Sequence, residues 1–273
     1  KLVPDNTNID FLRWRKLASF MSFFLVAVSI ALVAVKGLNF GVDFVGGQSV
    51  RVEFTQEMPP IDEIREKVGE IGLGEATFQQ FGSDKAVSIR TALPEGDKTV
   101  AERAGQQLVA GIQKAFPTAK TGSVETVSGK VSEELIRTGA LSLGLAIIGI
   151  SIYIWIRFEW QFGVGALGRL FHEVSLTFGL FAVTQMQFDL NSVAALLTIV
   201  GYSLNDTIVV YDRIRENLKK YRKMEIVPLL NLSINETLSR TVMTTVAMVL
   251  ALGMLLIFGP DVIFGFTAAM LFG

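Results

Sequence analysis

Hydrophobic residues in this chain gather into five long runs, and one polar block separates the first run from the other four. The runs at 17–35, 136–156, 162–183, 190–211 and 237–258 each approach the ~20 apolar residues that a helix needs to cross a hydrocarbon core of ~30 Å. A last apolar stretch begins near 262 and is too short to span alone, so it is read as a truncated sixth helix. The expected organisation is a cytoplasmic segment at 1–16, a first transmembrane helix at 17–35 and a folded polar domain at 36–132. Helices two to five and the truncated sixth fill 133–273, with a cytoplasmic segment near 212–236. The first run is read as a retained anchor, because it is long and no small-residue cleavage site follows it.

Inside the polar block the period of the pattern changes. SVRVEF at 49–54 alternates as a strand does, 61–71 repeats apolar residues at helical spacing, and 86–91 is a second short strand. An amphipathic helix follows at 100–116, and 121–131 supplies a final strand. The order strand, helix, strand or strands, helix, strand predicts a small α+β sandwich with its helices on one sheet face. Gly46 and Gly47 invite comparison with a phosphate loop, but no helix N-terminus with a Lys-Ser/Thr pair follows them, so they are read as a turn.

Composition supports a membrane protein: half of the 273 residues are hydrophobic and 20 are Phe. The net charge of −1 offers no basic groove for nucleic acid. With no Cys and a single His, disulfides, thiolate zinc sites, a Cys nucleophile and a His-rich metal site are all removed, and no cofactor, metal or enzymatic centre is expected. Positive charge sets the orientation. Arg13, Arg15 and Lys16 precede the first run, Arg157 sits in a short link, and Arg213, Arg215, Lys219, Lys220, Arg222 and Lys223 follow the fourth run. All read as cytoplasmic, which puts the 36–132 domain outside. DRIRENLKKYRK carries Ile214, Leu218 and Tyr221 at helical spacing, and reads either as a helix lying on anionic lipid or as a solvated one.

Asp206 stands out because it lies well inside an apolar run. An ionisable group there costs at least a few kcal/mol, and such groups commonly serve proton or ion movement. Counting along the helices puts Asp206 about 10 Å and Arg240 about 6 Å from the cytoplasmic edge, at comparable depth. A nearby Arg favours the ionised carboxylate, and a proton arriving at Asp206 would weaken that attraction, which suits a switch. The alternatives are a static pair that fixes packing, or an Arg240 that snorkels to the interface. Arg169, His172 and Glu173 form a second polar group. Arg169 and Glu173, four residues apart, are expected to neutralise each other, and His172 is either structural or a proton relay. Thr207, Thr241, Thr244 and Thr245 either line a hydrated path or hydrogen-bond helices together.

Three segments carry a family resemblance: NFGVDFVGG at 39–47, GYSLNDTIVVYDRIREN at 201–217 and NETLSRTVMTT at 235–245. The chain resembles the SecD/SecF family of protein-export membrane proteins, in its SecF type, with a wider relationship to the RND transporter superfamily. The resemblance implies a multi-span, RND-like α-helical bundle with a small α+β extracytoplasmic domain. It also implies an auxiliary role in the Sec translocase, using the proton gradient together with SecD to promote late preprotein export. The implied partners are SecD, SecYEG, the translocating preprotein and membrane lipid, with YajC and YidC as further candidates. The implied location is the bacterial inner (plasma) membrane, N-terminus cytoplasmic and domain 36–132 periplasmic.

Carried over residue by residue, Asp206 and Arg240 match positions implicated in proton transport. Asn205 stands where SecD members carry their acidic residue, so it is expected to hydrogen-bond between helices. The chain departs from the family at Arg169, where an apolar residue is more usual, and at Glu173, where the family more often has Asp after His. Two other functions compete: an RND-type proton-coupled exporter of small molecules and a passive translocon scaffold. Against the exporter, a single small outer domain offers little with which to build a substrate funnel; against the scaffold stands the cost of Asp206.

Overall fold

The computed structural model describes residue 4 and residues 7–74, 76–80, 85–93, 98–260 and 263–273. A short 3-10 helix (Phe11–Trp14) leads into α1 (Arg15–Lys36). The middle of the chain supplies α2 (Val42–Val45), β1 (Gly47–Phe54), α3 (Ile61–Gly69), β2 (Ala76–Gln80), β3 (Ala86–Thr91), α4 (Lys98–Ala115) and β4 (Ala119–Val127). The rest is helical: α5 (Gly129–Arg157), α6 (Trp160–Thr184), α7 (Leu190–Lys220), α8 (Ile226–Phe258) and α9 (Phe264–Phe272). Two compact units result. One is Lys1–Leu38, Ser142–Thr184 and Asn191–Gly273, and the other is Asn39–Leu141 with Gln185–Leu190.

Among the described residues, five helical stretches are long and apolar enough to cross a membrane. Their outward faces carry large exposed side chains such as Phe23, Ile156, Ile257 and Phe258, an apolar surface that water would not tolerate but lipid does. The protein is a multi-pass membrane protein. Lipid gives helices no hydrophobic reason to associate, so contact depends on small residues and polar links. A Cβ at Gly179 of α6 would collide with Ser29 of α1, which shows how closely these two helices cross. Ile154, Phe158, Ala166, Leu170, Val200 and Leu204 form a buried cluster between α5, α6 and α7.

The charged segment near 212–236 does not form a separate surface helix. α7 continues through it to Lys220 and α8 begins at Ile226, well before the apolar run. Polar groups pair across this turn: Asn217 Nδ2 donates to Ser233 Oγ at 3.0 Å and to Glu236 at 2.7 Å, and Arg213 Nε meets Glu236 at 2.8 Å. These links carry both helices beyond their apolar lengths. Asn235, in the NETLSRTVMTT motif, accepts from the Ile9 amide and donates to the Ile9 carbonyl, both at 2.9 Å, and so fixes the N-terminal segment on α8.

In the second unit the strands form one antiparallel sheet in the order β2-β3-β1-β4. With a helix after β1 and another after β3 this is the split βαβ, ferredoxin-like arrangement. Val50, Val52, Phe54, Val87 and Ile89 point from the sheet into a core shared with Ile64 and Val68 of α3 and with Leu108, Ile112 and Phe116 near α4. Alternation sends Ser49, Arg51, Ser88 and Arg90 to the opposite face.

That polar face is met by the segment joining α6 to α7, which groups with this unit rather than with the helices it connects. Gln185, in the left-handed region at φ 55°, accepts through its carbonyl from Asn39 at 3.0 Å and from Gln79 at 2.9 Å. Gln187 donates to Ser88 Oγ at 3.0 Å. The Phe188 amide donates to the Asn39 carbonyl at 2.7 Å, and the Gly41 amide donates to the Phe188 carbonyl at 2.9 Å. The Phe188 ring stacks on Phe44 and meets Phe40 edge-on.

Gly46 (φ 75°) and Gly47 (φ 109°) turn the chain from α2 into β1, with a strand and not a helix behind them. A Cβ on Gly47 would lie 2.7 Å from the Thr91 carbonyl oxygen. The paired glycines thus serve backbone shape. Gly47→Ala is expected to destabilise this domain by on the order of 1–3 kcal/mol, seen as faster hydrogen exchange in β1 and β3.

Burial raises the pKa of the Glu125 carboxyl, Asp43 and Asp189 raise it further, and Arg51 opposes them. Folding therefore favours neutral Glu125, and its stabilising contribution is full at acidic pH and lost as pH rises through the elevated value. Glu125→Gln should raise the domain's denaturation temperature near neutral pH, and the gain should vanish below the ordinary Glu range.

Candidate functional site

Along α7 the buried residues Ser192, Ala195, Leu196, Ile199, Val200, Ser203, Leu204 and Thr207 recur every three or four positions, which makes one helical stripe. Its polar members, Ser203 and Thr207, reach across to α6. Ser203 Oγ donates to Glu173 Oε1 at 2.6 Å. Arg169 Nε donates to the same oxygen at 2.9 Å, and Arg169 Nη1 donates to Thr207 Oγ1 at 2.9 Å. Thr207 in turn donates to the Ser203 carbonyl at 3.0 Å. The Glu173 side chain is 12 % exposed and that of Arg169 46 %. Glu173 Oε2 is buried and, among the described residues, has no hydrogen-bond partner.

A cavity of about 210 Å³ opens beside this knot. Arg169 and Glu173 line it from α6, Tyr202, Ser203 and Asp206 from α7, Thr245 from α8, and Met270 to Gly273 line it as well. Asp206 is partly buried on its wall, and among the described residues no hydrogen bond or ion pair reaches its carboxylate. The cavity is roomy enough for several waters beside this carboxylate.

Arg240 does not pair with Asp206. Its side chain is exposed and stands off the cavity wall. Depth brings the two to one level, but azimuth separates them, because Arg240 is five residues from the cavity-lining Thr245, a rotation of about 140° around α8. The cation at the cavity is Arg169.

Asn205 is exposed and makes no bond between helices among the described residues, contrary to the expectation. It neighbours Asp206 in sequence but points about 100° away. The Arg169–Glu173 pair forms as expected. His172 stays outside the knot, its Nε2 buried and unpartnered among the described residues. Thr244 bonds back to its own helix, at the Arg240 and Thr241 carbonyls, while Thr245 faces the cavity. Sequence reasoning missed Ser203 and Tyr202. Ser203 could have been found from its place four residues before Thr207.

Comparison with known proteins agrees with this architecture. The family profile described as protein export membrane protein SecD/SecF, C-terminal, matches residues 107–273, and the SecD/SecF GG motif matches residues 31–58. The chain belongs to the SecD/SecF family. It is 44% identical to the protein translocase subunit SecF of Cereibacter sphaeroides, covering 100% of this chain and 86% of that one. The subunit of the same name from Rickettsia akari is 38% identical, with 100% and 88% covered. Among solved structures it matches a Thermus SecDF, a translocon-associated membrane protein, with a TM-score of 0.85 and 31% identity over 99% of this chain. The chain spans 36% of that longer SecDF chain. SecDF in a super-membrane-facing form matches with a TM-score of 0.65 and 29% identity, over 98% of this chain and 36% of that one. The GG motif contains the tight turn at Gly46 and Gly47.

The ion pair's two halves are unequal. Arg169→Gln leaves a buried carboxylate without its cation and is expected to cost about 2–3 kcal/mol, less than the ~3–5 of a fully buried pair because Arg169 is half exposed. Glu173→Gln should cost clearly less, and the double variant less than Arg169→Gln alone. Thermal denaturation of the detergent-solubilised protein measures the order.

Proposed function

We propose that this chain is an auxiliary subunit of the Sec protein translocase that works with a SecD partner and uses the proton gradient to promote late preprotein export. Family membership supports the SecD partner, because relatives with this architecture are SecF subunits or SecDF chains. The single observation that carries proton coupling is Asp206, an acidic side chain with no partner among the described residues, on the wall of a cavity between apolar helices. Protonation there removes a charge from surroundings that disfavour it, so occupancy by a proton changes which helix arrangement is preferred. Each proton crossing the membrane potential gains about 2.3 kcal/mol per 100 mV, so a few suffice to bias a movement of several kcal/mol.

In this reading the protein sits in the bacterial inner membrane. The clustered Arg and Lys after α7 face the cytoplasm with the N-terminus, and the ferredoxin-like unit is periplasmic, where it meets the emerging preprotein. SecYEG is the channel it serves, and YajC and YidC are accessory partners in the same assembly. Arg240 remains a cation that Asp206 can meet in another arrangement of the helices.

The test is gradient-dependent completion of preprotein export in membrane vesicles holding the full-length protein with SecD and SecYEG. Asp206→Asn, at matched complex assembly, is expected to abolish the gradient-dependent step while ATP-driven export continues. Unchanged gradient-dependent export would make Asp206 structural and leave the protein a scaffold.

A further inference from the structure

The proton reading names one carboxylate, yet two carboxylates and one guanidinium line the same cavity: Asp206, Glu173 and Arg169. The other wall residues bring little further charge. Tyr202 is a phenol on α7, Thr245 a hydroxyl on α8, and the α9 residues Met270 to Phe272 are apolar. His172 lies on α6 outside the wall, and Arg240 lies on α8 away from it. Arg169 is therefore the only fixed positive charge among the described residues on this wall, and it has two anionic candidates.

Its present bonds show how the choice can change. Both bonds to Glu173 fall on Oε1, from Arg169 Nε at 2.9 Å and Ser203 Oγ at 2.6 Å. Oε2 is buried with nothing to accept from among the described residues. An ionised carboxylate with one dry, unpartnered oxygen is costly, and a proton on that oxygen relieves the cost without displacing Ser203. Neutralising Glu173 weakens its hold on Arg169. The guanidinium is 46 % exposed and its Nη1 already donates to Thr207, the residue next to Asp206 in the chain.

We propose that Arg169 is a shared counter-ion, a positioning residue that pairs with Glu173 while Asp206 holds the proton and turns to Asp206 when Glu173 holds it. The two states balance. In one, Asp206 is a carboxylic acid and Glu173 a carboxylate beside Arg169; in the other, the proton is on Glu173 Oε2 and Asp206 is the carboxylate beside Arg169. One proton and one guanidinium are present throughout, and the net charge of the three groups is zero in both, so neither state leaves an uncompensated charge between the helices. The inference rests on the proton role of Asp206 and adds a second holder for the same proton.

Carbodiimide attacks protonated carboxyl groups, so the pH profile of Asp206 labelling reports its protonation. The experiment uses the full-length protein with SecD in liposomes, quantified by mass spectrometry of the Asp206 peptide. Glu173→Gln is permanently neutral at that position and releases Arg169 to Asp206. The labelling midpoint should move down by about one pH unit, a roughly tenfold loss of labelling above the midpoint. Arg169→Gln should move it up, Arg169→Lys should restore it, and the double variant Arg169→Gln/Glu173→Gln should fall between the native protein and Arg169→Gln, because the unpaired Glu173 charge is gone. A midpoint unmoved by Glu173→Gln overturns the proposal, as does a shift produced by Arg240→Gln and not by Arg169→Gln. Labelling needs no export activity. A midpoint that shifts as expected beside normal export by Asp206→Asn would keep the shared counter-ion and remove the motor.

Discussion

Charge among lipid-facing helices has to be cancelled on the spot, and the arrangement of α6 and α7 follows from how Glu173 meets that demand. With its side chain nearly enclosed and Oε2 buried, this carboxylate is held by hydrogen bonds from Arg169 and Ser203. Those bonds fix α7 in rotation and in height against α6, because Ser203 and Thr207 are one turn apart on one stripe. With that stripe turned inward, Asp206 comes to the cavity wall and Asn205 to the outside. Apolar contact alone would not select one rotation, since a leucine meets lipid as readily as it meets another helix.

A related constraint shapes the other unit. Its sheet has one face of Val, Ile and Phe and one of Ser, Arg and Glu, and only the first is covered by α3 and α4. The second face gains partners from Gln185–Leu190, which enters with backbone as well as side chains: Phe188 pairs with Phe40 as a parallel bridge, and the Leu190 amide donates to Asp43 Oδ2 at 3.1 Å. Leu190 is also the first residue of α7. Asp43 thus supplies the negative charge that a helix N-terminus favours.

Features written in the period of the sequence were legible, and features set by rotation or by distant pairing were not. The apolar runs gave the spans, and alternation at 49–54 and 86–91 gave β1 and β3, because one residue type per face is visible in a single strand. β2 at Ala76–Gln80 stayed indistinct, since ATFQQ on a sheet edge is only partly buried and alternates weakly. The extension of α7 and α8 beyond their apolar lengths depends on Asn217, Ser233 and Glu236 meeting across a turn, which no local pattern announces. Asp206 was legible because a carboxylate in an apolar run is anomalous by itself. Its relation to Arg240 was not, because depth can be counted along a helix while the facing direction depends on the neighbour against which that helix packs.

Arg169 shows how a charge that looks misplaced in the sequence becomes intelligible once the contacts are known. Taken alone, an arginine within an apolar run looks like an added cost within the membrane. Beside Glu173 it is half of a neutral pair, and the longer Glu side chain is met by both Ser203 and Arg169 at one oxygen. Adding a cation and keeping two carboxylates leaves three groups that can hold one proton and stay neutral wherever that proton rests. An apolar residue in place of Arg169 would leave the two carboxylates with one uncompensated negative charge wherever a single proton rested, with no counter-ion beside them. Under the proposed sharing of one proton by Glu173 and Asp206, the arginine that looks out of place in the sequence is the group that keeps the trio neutral.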